Sequence, residues 1–340
     1  MSVSMLIVGT IIGAGFASGR EVVAFFGATP NMFIALITGV LVFGCSTLFL
    51  FVGRRVRKTD IGEVNSEIFG KFRPIADLMI LLNSMTVLGA MLAATDSLAA
   101  EFIDLRPLPS IVLGLLCAGI AIKGIKGVIK ANAVLVPLMI IVLGVSCILA
   151  IEFPFTPQTA VIKPYSVVLY VAMNMLLSGG VLTTVHDISP REILLSSAVA
   201  AIVIAGLLLL IMGALGSCSA AHADMPMLLI ALKSGKRMYF ATLPIIVASV
   251  FTTMLSAFKS VYDYVRTFVK HNVISAGLVL IAGLFVGAFG FSNVVGRMYP
   301  IIGGIGLVYI AANAVFLVKT RVKRDVKRKA KRLKSKIVRT

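Results

Sequence analysis

Residues 8–21 of the chain read Val-Gly-Thr-Ile-Ile-Gly-Ala-Gly-Phe-Ala-Ser-Gly-Arg-Glu. This stretch places Gly9, Gly13, Gly15 and Gly19 near the middle of an apolar run that covers about residues 2–27. A run of this length can cross a bilayer as a helix, but so much glycine weakens a helix at its centre. The stretch therefore predicts a transmembrane segment that is interrupted inside the membrane.

A second glycine-rich stretch occurs in a later apolar run, where residues 174–181 read Asn-Met-Leu-Leu-Ser-Gly-Gly-Val. Unwound backbone in a membrane must line a cavity or be buried in protein, because its free N–H and C=O groups have no water. Interrupted helices at corresponding positions of two halves point to a binding site at the midplane. The predicted substrate-binding residues are Gly13, Ala14, Gly15, Phe16, Asn174, Ser178, Gly179 and Gly180. The alternative is that these small residues only allow helices to pack closely.

The composition assigns most of the chain to the bilayer. Mean hydropathy is +1.03 and 59% of the 340 residues are hydrophobic, which exceeds the apolar content of soluble domains. Ten apolar runs are long enough to cross a membrane, which predicts an all-α polytopic protein. They cover about residues 2–27, 31–53, 74–100, 108–123, 131–151, 163–187, 191–216, 238–266, 272–290 and 292–318.

The halves of this layout have five spans each, and an odd number of spans per half forces inverted topology. We predict one transmembrane transporter domain over residues 1–318, with repeats at about 1–151 and 157–318, followed by a polybasic tail at 319–340. Residues 59–70 and 224–234 can form short connecting helices, which either gate the site or lie at the membrane interface.

Basic residues set the predicted orientation. Lys and Arg follow spans two, four, eight and ten, so both termini are predicted to be cytoplasmic in a multi-pass protein of the cell (inner) membrane. No Lys or Arg precedes the first apolar run, so a cleaved signal peptide is not expected. The tail has twelve basic residues and one acid, Asp325, which favours contact with anionic lipid on the cytoplasmic surface.

Several other classes of function are disfavoured by the sequence. The net charge of +18 lies in segments between apolar runs and in the tail, so we predict no nucleic-acid partner. The four cysteines lack metal-ligand spacing, and no phosphate-binding loop or catalytic group of residues is present. The chain is therefore predicted to be no enzyme, with no catalytic residues, no metal and no cofactor other than a coupling Na⁺ or H⁺.

The motif GTIIGAGFASG at residues 9–19 resembles the YkvI-type family of bacterial membrane proteins, within the amino acid-polyamine-organocation superfamily. The ten-span layout extends this resemblance to nearly the whole chain. It implies the LeuT-type fold, a five-plus-five inverted repeat with broken helices one and six and with the substrate between them.

The resemblance also implies an ion site. Sodium-coupled members of the wider fold hold the ion between carbonyls of span one and a carbonyl plus two hydroxyls of span eight. Residues 249–253 here read Ser-Val-Phe-Thr-Thr, which puts three such groups on one helix face. The implied ion-binding residues are Gly9, Ile12, Ser249, Thr252 and Thr253. Alternatively, these hydroxyls only form hydrogen bonds to neighbouring helices or to their own backbone.

Charged residues inside spans are functional candidates because they are costly to bury in a membrane. The predicted coupling or gating residues are Arg20, Glu21, Lys259, Asp263 and Arg297. Lys259 either couples transport to protons or extends to the inner interface as a pair with Asp263. An outer gate could pair Arg20 or Arg297 with Glu21 or Asp96, and the alternative is that these groups reach the headgroups singly.

The function that these features favour is secondary active transport of a small solute, amino-acid-like or an amine, by ion-coupled alternating access. The alternative is a membrane receptor or scaffold with the same fold that binds a ligand without transporting it. Substrate identity, direction of transport and oligomeric state do not follow from the sequence.

Overall fold

A computed structural model of the chain describes residues 3–123, 126–152, 164–218 and 220–337. These residues form helices joined by turns and loops. The predicted start of the second repeat near residue 157 and the last three residues of the tail lie outside the described residues. The helices are α1 (Val3–Ile11), α2 (Ala14–Ala17), α3 (Arg20–Phe26), α4 (Met32–Val56), α5 (Ile61–Phe69), α6 (Arg73–Ala100), α7 (Leu108–Lys123), α8 (Lys126–Ala150), α9 (Pro164–Leu182), α10 (Pro190–Ser217), α11 (Pro226–Lys233), α12 (Lys236–Val265), α13 (Asn272–Gly287), α14 (Phe291–Asn293) and α15 (Tyr299–Ile337).

The ten predicted spans have counterparts in this succession. Six helical segments of the described chain are long and apolar enough to cross a membrane, and three shorter apolar helices lie at 108–123, 134–150 and 272–287. The interrupted first segment, α1 to α3, makes the tenth. Large apolar side chains such as Phe33, Leu36 and Val40 are exposed on the outer face of α4. Such faces suit contact with lipid rather than water.

The first span is interrupted twice, as its glycines predict. Gly13 is extended between α1 and α2, with φ −91° and ψ −171°. Gly19 separates α2 from α3 and has a φ of +80°, a conformation that glycine adopts without steric cost. The three short helices therefore replace one continuous membrane helix.

The sixth span differs from the sequence prediction in where its helix ends. α9 continues through Ser178, Gly179 and Gly180 and ends at Leu182, and residues 183–189 form no helix. The backbone remains paired there, since Thr183 donates its N–H to Gly179 O at 2.9 Å. Gly179 instead allows close packing, because a Cβ added to it would lie 2.6 Å from the ring of Phe49. The helix therefore ends after residues 178–180, at the C-terminal end of the span, instead of being interrupted at them.

The non-helical residues after α9 are held by α4. A Cβ added to Gly53 would lie 2.5 Å from Val185 O and 2.7 Å from Thr183 O, so only glycine permits this approach. Arg54 donates from Nη1 to Ile188 O at 3.0 Å. α4 thus supplies both the space and a hydrogen bond for the segment that follows α9.

Both predicted connecting helices form. α5 begins after Asp60, whose carboxylate accepts from the N–H of Glu63 at 3.0 Å and so caps the helix. α11 has buried residues along most of its length, including Met227 and Ile230, so protein rather than membrane covers it. Its first turn is joined to the interrupted span, because Met227 donates its N–H to Ser18 O at 2.9 Å.

Candidate functional site

A small cavity of about 60 Å³ lies at the interruption between α1 and α2. It is enclosed by α1, α2, α3, α6, α9, α12 and the start of α15. This volume is about that of two water molecules in the liquid. The lining residues are Thr10, Ile11, Gly13, Ala14, Gly15, Glu21, Asn83, Val87, Met91, Met173, Asn174, Leu177, Thr253 and Tyr299.

The backbone next to the cavity departs from helical pairing. Gly13 donates its N–H to Ile11 O at 3.0 Å instead of to Gly9 O, its partner in a regular α-helix. Ser18 donates its hydroxyl to Gly15 O at 2.8 Å and accepts the N–H of Arg20 at 3.2 Å. The side chain of Ser18 therefore stabilises the second interruption by replacing backbone hydrogen bonds.

Glu21 contributes the acidic side chain among the residues that line the cavity. The residue is 6% exposed, and its carboxylate lies so close to Gly15 that an added Cβ there would be 2.0 Å from Oε1. The side chains of Tyr170 and Tyr299 lie near it. Oε2 has no hydrogen-bond partner of regular geometry among the described residues. The cavity thus holds a buried carboxylate that is incompletely satisfied.

Two asparagines add amide groups to the lining. Asn174 donates from Nδ2 to Tyr170 O at 3.1 Å, four residues earlier on α9. Asn83 of α6 is 2% exposed and lines the cavity from the opposite helix. A ligand in the cavity would meet both amides together with the carboxylate of Glu21.

The residues of the implied ion site lie at different depths around the break. Thr253 lines the cavity, with Oγ1 4.0 Å from where a Cβ of Gly13 would be. Ser249 and Thr252 are buried, and the Thr252 hydroxyl donates to Ser249 O at 3.2 Å. Ile12 is buried, and Gly9 faces Val136 of α8.

Some predicted substrate residues lie outside the cavity lining. Phe16 is fully buried in the protein core. Gly179 faces Phe49 of α4, and Gly180 faces Ile61 of α5. α9 is a continuous helix here, so Gly179 and Gly180, five and six residues after Asn174, lie on other faces of the helix and meet other neighbours. Ser178 is buried and is not among the lining residues.

The outer side of the cavity is closed by hydrogen bonds rather than by the predicted charge pairs. Arg20 donates from Nη1 to Ala221 O at 3.0 Å and to Ala223 O at 3.3 Å. Asp224 accepts from the hydroxyls of Ser97, at 2.9 Å, and Ser292. These bonds join the loop before α11 to α3, α6 and α14.

The four side chains of the predicted outer gate, Arg20, Glu21, Asp96 and Arg297, therefore do not pair with one another. Asp96 accepts the N–H of Ser110 at 2.9 Å, and Arg297 is exposed. Arg20 and Glu21 are consecutive in α3, so their side chains point about 100° apart around the helix. This geometry directs the Arg20 side chain to the loop before α11 and the Glu21 side chain to the cavity. The two side chains therefore contact different groups.

A second outer contact fixes the far end of α11. Lys233 donates from Nζ to Glu152 Oε2 at 2.9 Å and to Ser217 O at 2.8 Å. The hydrogen bond to the Glu152 carboxylate raises the pKa of the Lys233 ammonium. α11 is thus attached at its start to the interrupted span and at its end to the loop after α8.

An aromatic layer joins α4, α5 and α15. Tyr309 stacks between Phe49 and Phe69, with ring centroids 5.9 and 5.5 Å away. Its hydroxyl donates to Asn65 Oδ1 at 3.1 Å, and Asn65 donates to Asp77 Oδ1 at 3.0 Å. This layer attaches the connecting helix α5 to the membrane helices.

Lys259 and Asp263 form an ion pair on α12, as the interface interpretation of these residues predicts. The Asp263 side chain is 57% exposed, whereas that of Lys259 is 23% exposed. The pair lies outside the cavity lining. Ser84 and Ser260, whose hydroxyl oxygens are 2.9 Å apart, join α6 and α12 nearby.

Tyr299, Met91, Met173 and Leu177 line the cavity but do not stand out in the sequence. Methionine and leucine resemble lipid-facing residues in an apolar run, so periodicity carries no signal for them. Tyr170 and Tyr299 could have been selected, because a phenol inside a span needs a polar neighbour. Among the described residues, His, Cys, Asp and Glu form no group of three or more that could hold a metal ion.

No protein-family model matches the chain. The chain is similar to the uncharacterized membrane protein YkvI of Bacillus subtilis (strain 168), with 25% identity over 327 residues, or 90% of this chain and 92% of that protein. It is also 26% identical over 141 residues, 40% of each chain, to the uncharacterized protein YyaD of the same organism. The first similarity confirms the resemblance to YkvI-type proteins and the membrane location.

Two solved structures have a similar arrangement of helices. One is the substrate-bound outward-open state of a Na⁺-coupled sialic acid symporter, with a TM-score of 0.60 and 16% identity over 91% of this chain and 78% of that chain. The other is the inward-facing conformation of Mhp1, with a TM-score of 0.61 and 13% identity over 93% of this chain and 75% of that chain. The chain has the LeuT-type fold. The first of these structures is of a symporter. Within the LeuT-type fold of this chain, the cavity lies where the first span is interrupted.

Proposed function

We propose that the chain is a secondary active transporter that moves a small solute by ion-coupled alternating access. The observation that carries this proposal is the cavity at the interrupted first span. We propose the hydrogen bonds of Asp224 and the aromatic layer around Tyr309 as its two closing layers. A site that can open to either side in turn needs two such layers. The likeness in fold to a Na⁺-coupled symporter supports the same function.

The proposed substrate site contains Gly13, Ala14, Gly15 and Asn174, which line the cavity. Phe16, Ser178, Gly179 and Gly180 lie outside this lining, where Phe16 and Ser178 are buried and the two glycines pack against Phe49 and Ile61. The mixture of backbone, amide and carboxylate groups favours a small polar solute, amino-acid-like or an amine. The cavity has a volume of about 60 Å³, so we expect the lining to move apart when a larger solute binds.

The coupling ion is Na⁺ or H⁺. Gly9, Ile12, Ser249, Thr252 and Thr253 are the proposed Na⁺ ligands by resemblance. Gly13 donates its N–H to Ile11 O instead of to Gly9 O, which leaves the Gly9 carbonyl available beside the break. This supports the proposed set of ligands. Protons would need an ionisable group, which Glu21 supplies in the cavity.

Two measurements test the proposal. The first is uptake of amino acids and amines into proteoliposomes under Na⁺ and H⁺ gradients. The second is thiol labelling of Leu177→Cys from each side, in a background with the four native cysteines replaced. Transport predicts gradient-driven uptake and labelling from both sides. A receptor or scaffold predicts ligand binding with no uptake and labelling from one side.

Thermal stabilisation by ligand in Na⁺ and in choline separates the coupling ions. Stabilisation that needs Na⁺ and is lost in the double variant Thr252→Ala, Thr253→Ala supports Na⁺ coupling. Stabilisation that depends neither on Na⁺ nor on the two threonines rejects that ion site. The remaining explanations are then proton coupling or a receptor. Thr267→Ala, at an exposed residue just after α12, is the matched control.

The proposed location of both termini is the cytoplasmic side, with anionic lipid bound at the start of the polybasic tail. An open pocket there is lined by Arg54, Arg55, Arg57 and Arg321, with Phe51, Leu317 and Val318 beside them. Guanidinium groups next to apolar side chains suit a phosphate headgroup and the upper part of its acyl chains.

A further inference from the structure

Glu21 is an acid in a membrane cavity with no base beside it. Its carboxylate is buried, and Oε2 has no partner of regular geometry among the described residues. The adjacent cation, Arg20, donates to loop carbonyls on the outer side instead. Glu21 therefore forms no ion pair with the charged groups that the structure describes.

Among the described residues, the ionisable side chains near Glu21 either are tyrosines or point away from its carboxylate. Tyr170 of α9 and Tyr299 of α15 face it. The π-helical segment packed against α3 (Val294–Met298) contains Arg297, which is exposed. α2 has no titratable residue, and those of α10 lie in its first turn, at Arg191 and Glu192, with Cys218 just beyond its end.

A buried carboxylate in these surroundings is unfavourable when it is charged and alone, because the low dielectric neither solvates nor pairs it. It must carry a proton or face a cation. Because Glu21 is buried beside a small cavity, a proton meets that requirement without a ligand.

We propose that Glu21 binds the ammonium group of a small organic amine and holds a proton when the amine is absent. This inference rests on the proposed function, whose substrate class it narrows. An ammonium group donates hydrogen bonds that a carboxylate and phenol oxygens accept. The apolar wall formed by Val87, Met91, Met173 and Leu177 suits an alkyl group. A substrate carboxylate would add a second negative charge, and no basic residue lines the cavity among the described residues.

The exchange balances one proton against one cation. An amine that enters as R–NH₃⁺ meets Glu21 in its COOH form, and the carboxyl proton leaves to water as the ion pair forms. The net charge of the site is the same before and after. Binding should therefore weaken about tenfold for each pH unit below the range in which Glu21 is half protonated.

Proton release by the unmodified protein is the decisive measurement. Ethylamine is added to purified protein in weakly buffered detergent solution with a pH-indicator dye, beside ethanol, acetate and alanine as neutral, anionic and zwitterionic probes. We expect about one proton released for each ethylamine bound and no stabilisation by ethanol or acetate. Ethylamine binding without proton release, or equal binding of the neutral probe, would overturn the proposal.

The matched pair of variants is Glu21→Gln and Glu101→Gln, since Glu101 is exposed at the end of α6. Glu21→Gln should weaken ethylamine binding at least tenfold and remove its pH dependence, whereas Glu101→Gln should bind like the unmodified chain. If Glu21→Gln does not fold, the dye measurement on the unmodified protein decides alone.

These outcomes separate the inference from the proposed function. Proton-linked amine binding without uptake into proteoliposomes would reject transport and keep the role of Glu21. Uptake of a neutral solute or of an amino acid that is unchanged in Glu21→Gln would keep transport and reject the inference.

Discussion

Gly15 and Glu21 make the tightest approach in the cavity wall. An added Cβ at Gly15 would stand 2.0 Å from Glu21 Oε1 and 2.5 Å from its carboxyl carbon, so the carboxylate has to move. Glutamate has rotatable bonds and Glu21 lines the cavity, but the residue is 6% exposed, so a displaced carboxylate leaves its position beside Tyr170 and Tyr299. A single methyl group at this residue therefore tests how firmly Glu21 is held.

We expect Gly15→Ala to lower the free energy of unfolding by about 1–3 kcal/mol, the usual cost of overpacking a core. It should also abolish ligand stabilisation, because the carboxylate leaves its position. Thermal unfolding in detergent with and without ligand measures both effects. The control is Gly144→Ala on α8, where an added Cβ meets nothing within 4 Å. Equal unfolding midpoints for the two variants would contradict the close contact.

At the scale of elements, α4 determines the path of the chain after α9. The carbonyl oxygens of Thr183 and Val185 approach Gly53 so closely that a side chain there is excluded. Gly44 lies on the same helix with no atom within 4 Å of an added Cβ. Substituting each glycine by alanine therefore distinguishes the effect of packing, at Gly53, from the effect of helix propensity, at Gly44.

Gly53→Ala should destabilise the protein by about 1–3 kcal/mol and raise thiol labelling of Thr184→Cys from the cytoplasmic side, because the segment is pushed off α4. Gly44→Ala should change stability by no more than about 1 kcal/mol, and in the stabilising direction, since alanine favours a helix. The unfolding midpoints and thiol-labelling rates of both variants test these two expectations. Unchanged labelling in Gly53→Ala would show that the segment is held by other contacts.

Asp224 is the acceptor that joins three elements on the outer side. Replacing it by Asn weakens its hydrogen bonds to Ser97 and Ser292, and a hydrogen bond to a charged group contributes about 1.5–3 kcal/mol. We expect Asp224→Asn to increase labelling of Leu177→Cys by an impermeant thiol reagent added outside, severalfold or more. Asp104→Asn, whose exposed carboxylate pairs with Arg106, is the control and should leave labelling unchanged. A result in which both variants label alike would exclude Asp224 from the outer closure.

At the scale of the whole molecule, orientation follows from charge that flanks the spans. We expect green fluorescent protein fused after residue 340 to be fluorescent and alkaline phosphatase fused there to be inactive, because the first folds in the cytoplasm and the second requires export. Phosphatase inserted in the loop between α6 and α7, before Pro107, should be active. The opposite pair of activities would invert the predicted topology.

The sequence predicted the elements better than the site. Hydropathy and glycine are local properties, so the ten runs and the interruption at Gly13 could be found by reading along the chain. The pair Gly179 and Gly180 carried the same signal with a different cause, since α4 packs on Gly179, α5 packs on Gly180 and the helix stays intact. Composition alone cannot distinguish a glycine that unwinds a helix from one that admits a neighbour.

By itself, the sequence determined three properties: the chain is a membrane protein, its spans begin and end at approximate positions, and span one is interrupted. Those properties depend on transfer free energies and backbone preferences that each segment has on its own. The tertiary structure decided that Arg20 points to a loop and Glu21 into a cavity, and that Asp224 and Tyr309 join helices that lie far apart in the chain. Such roles depend on which neighbours are close, because a buried charge or hydroxyl acquires its chemistry from groups that lie far apart in the chain.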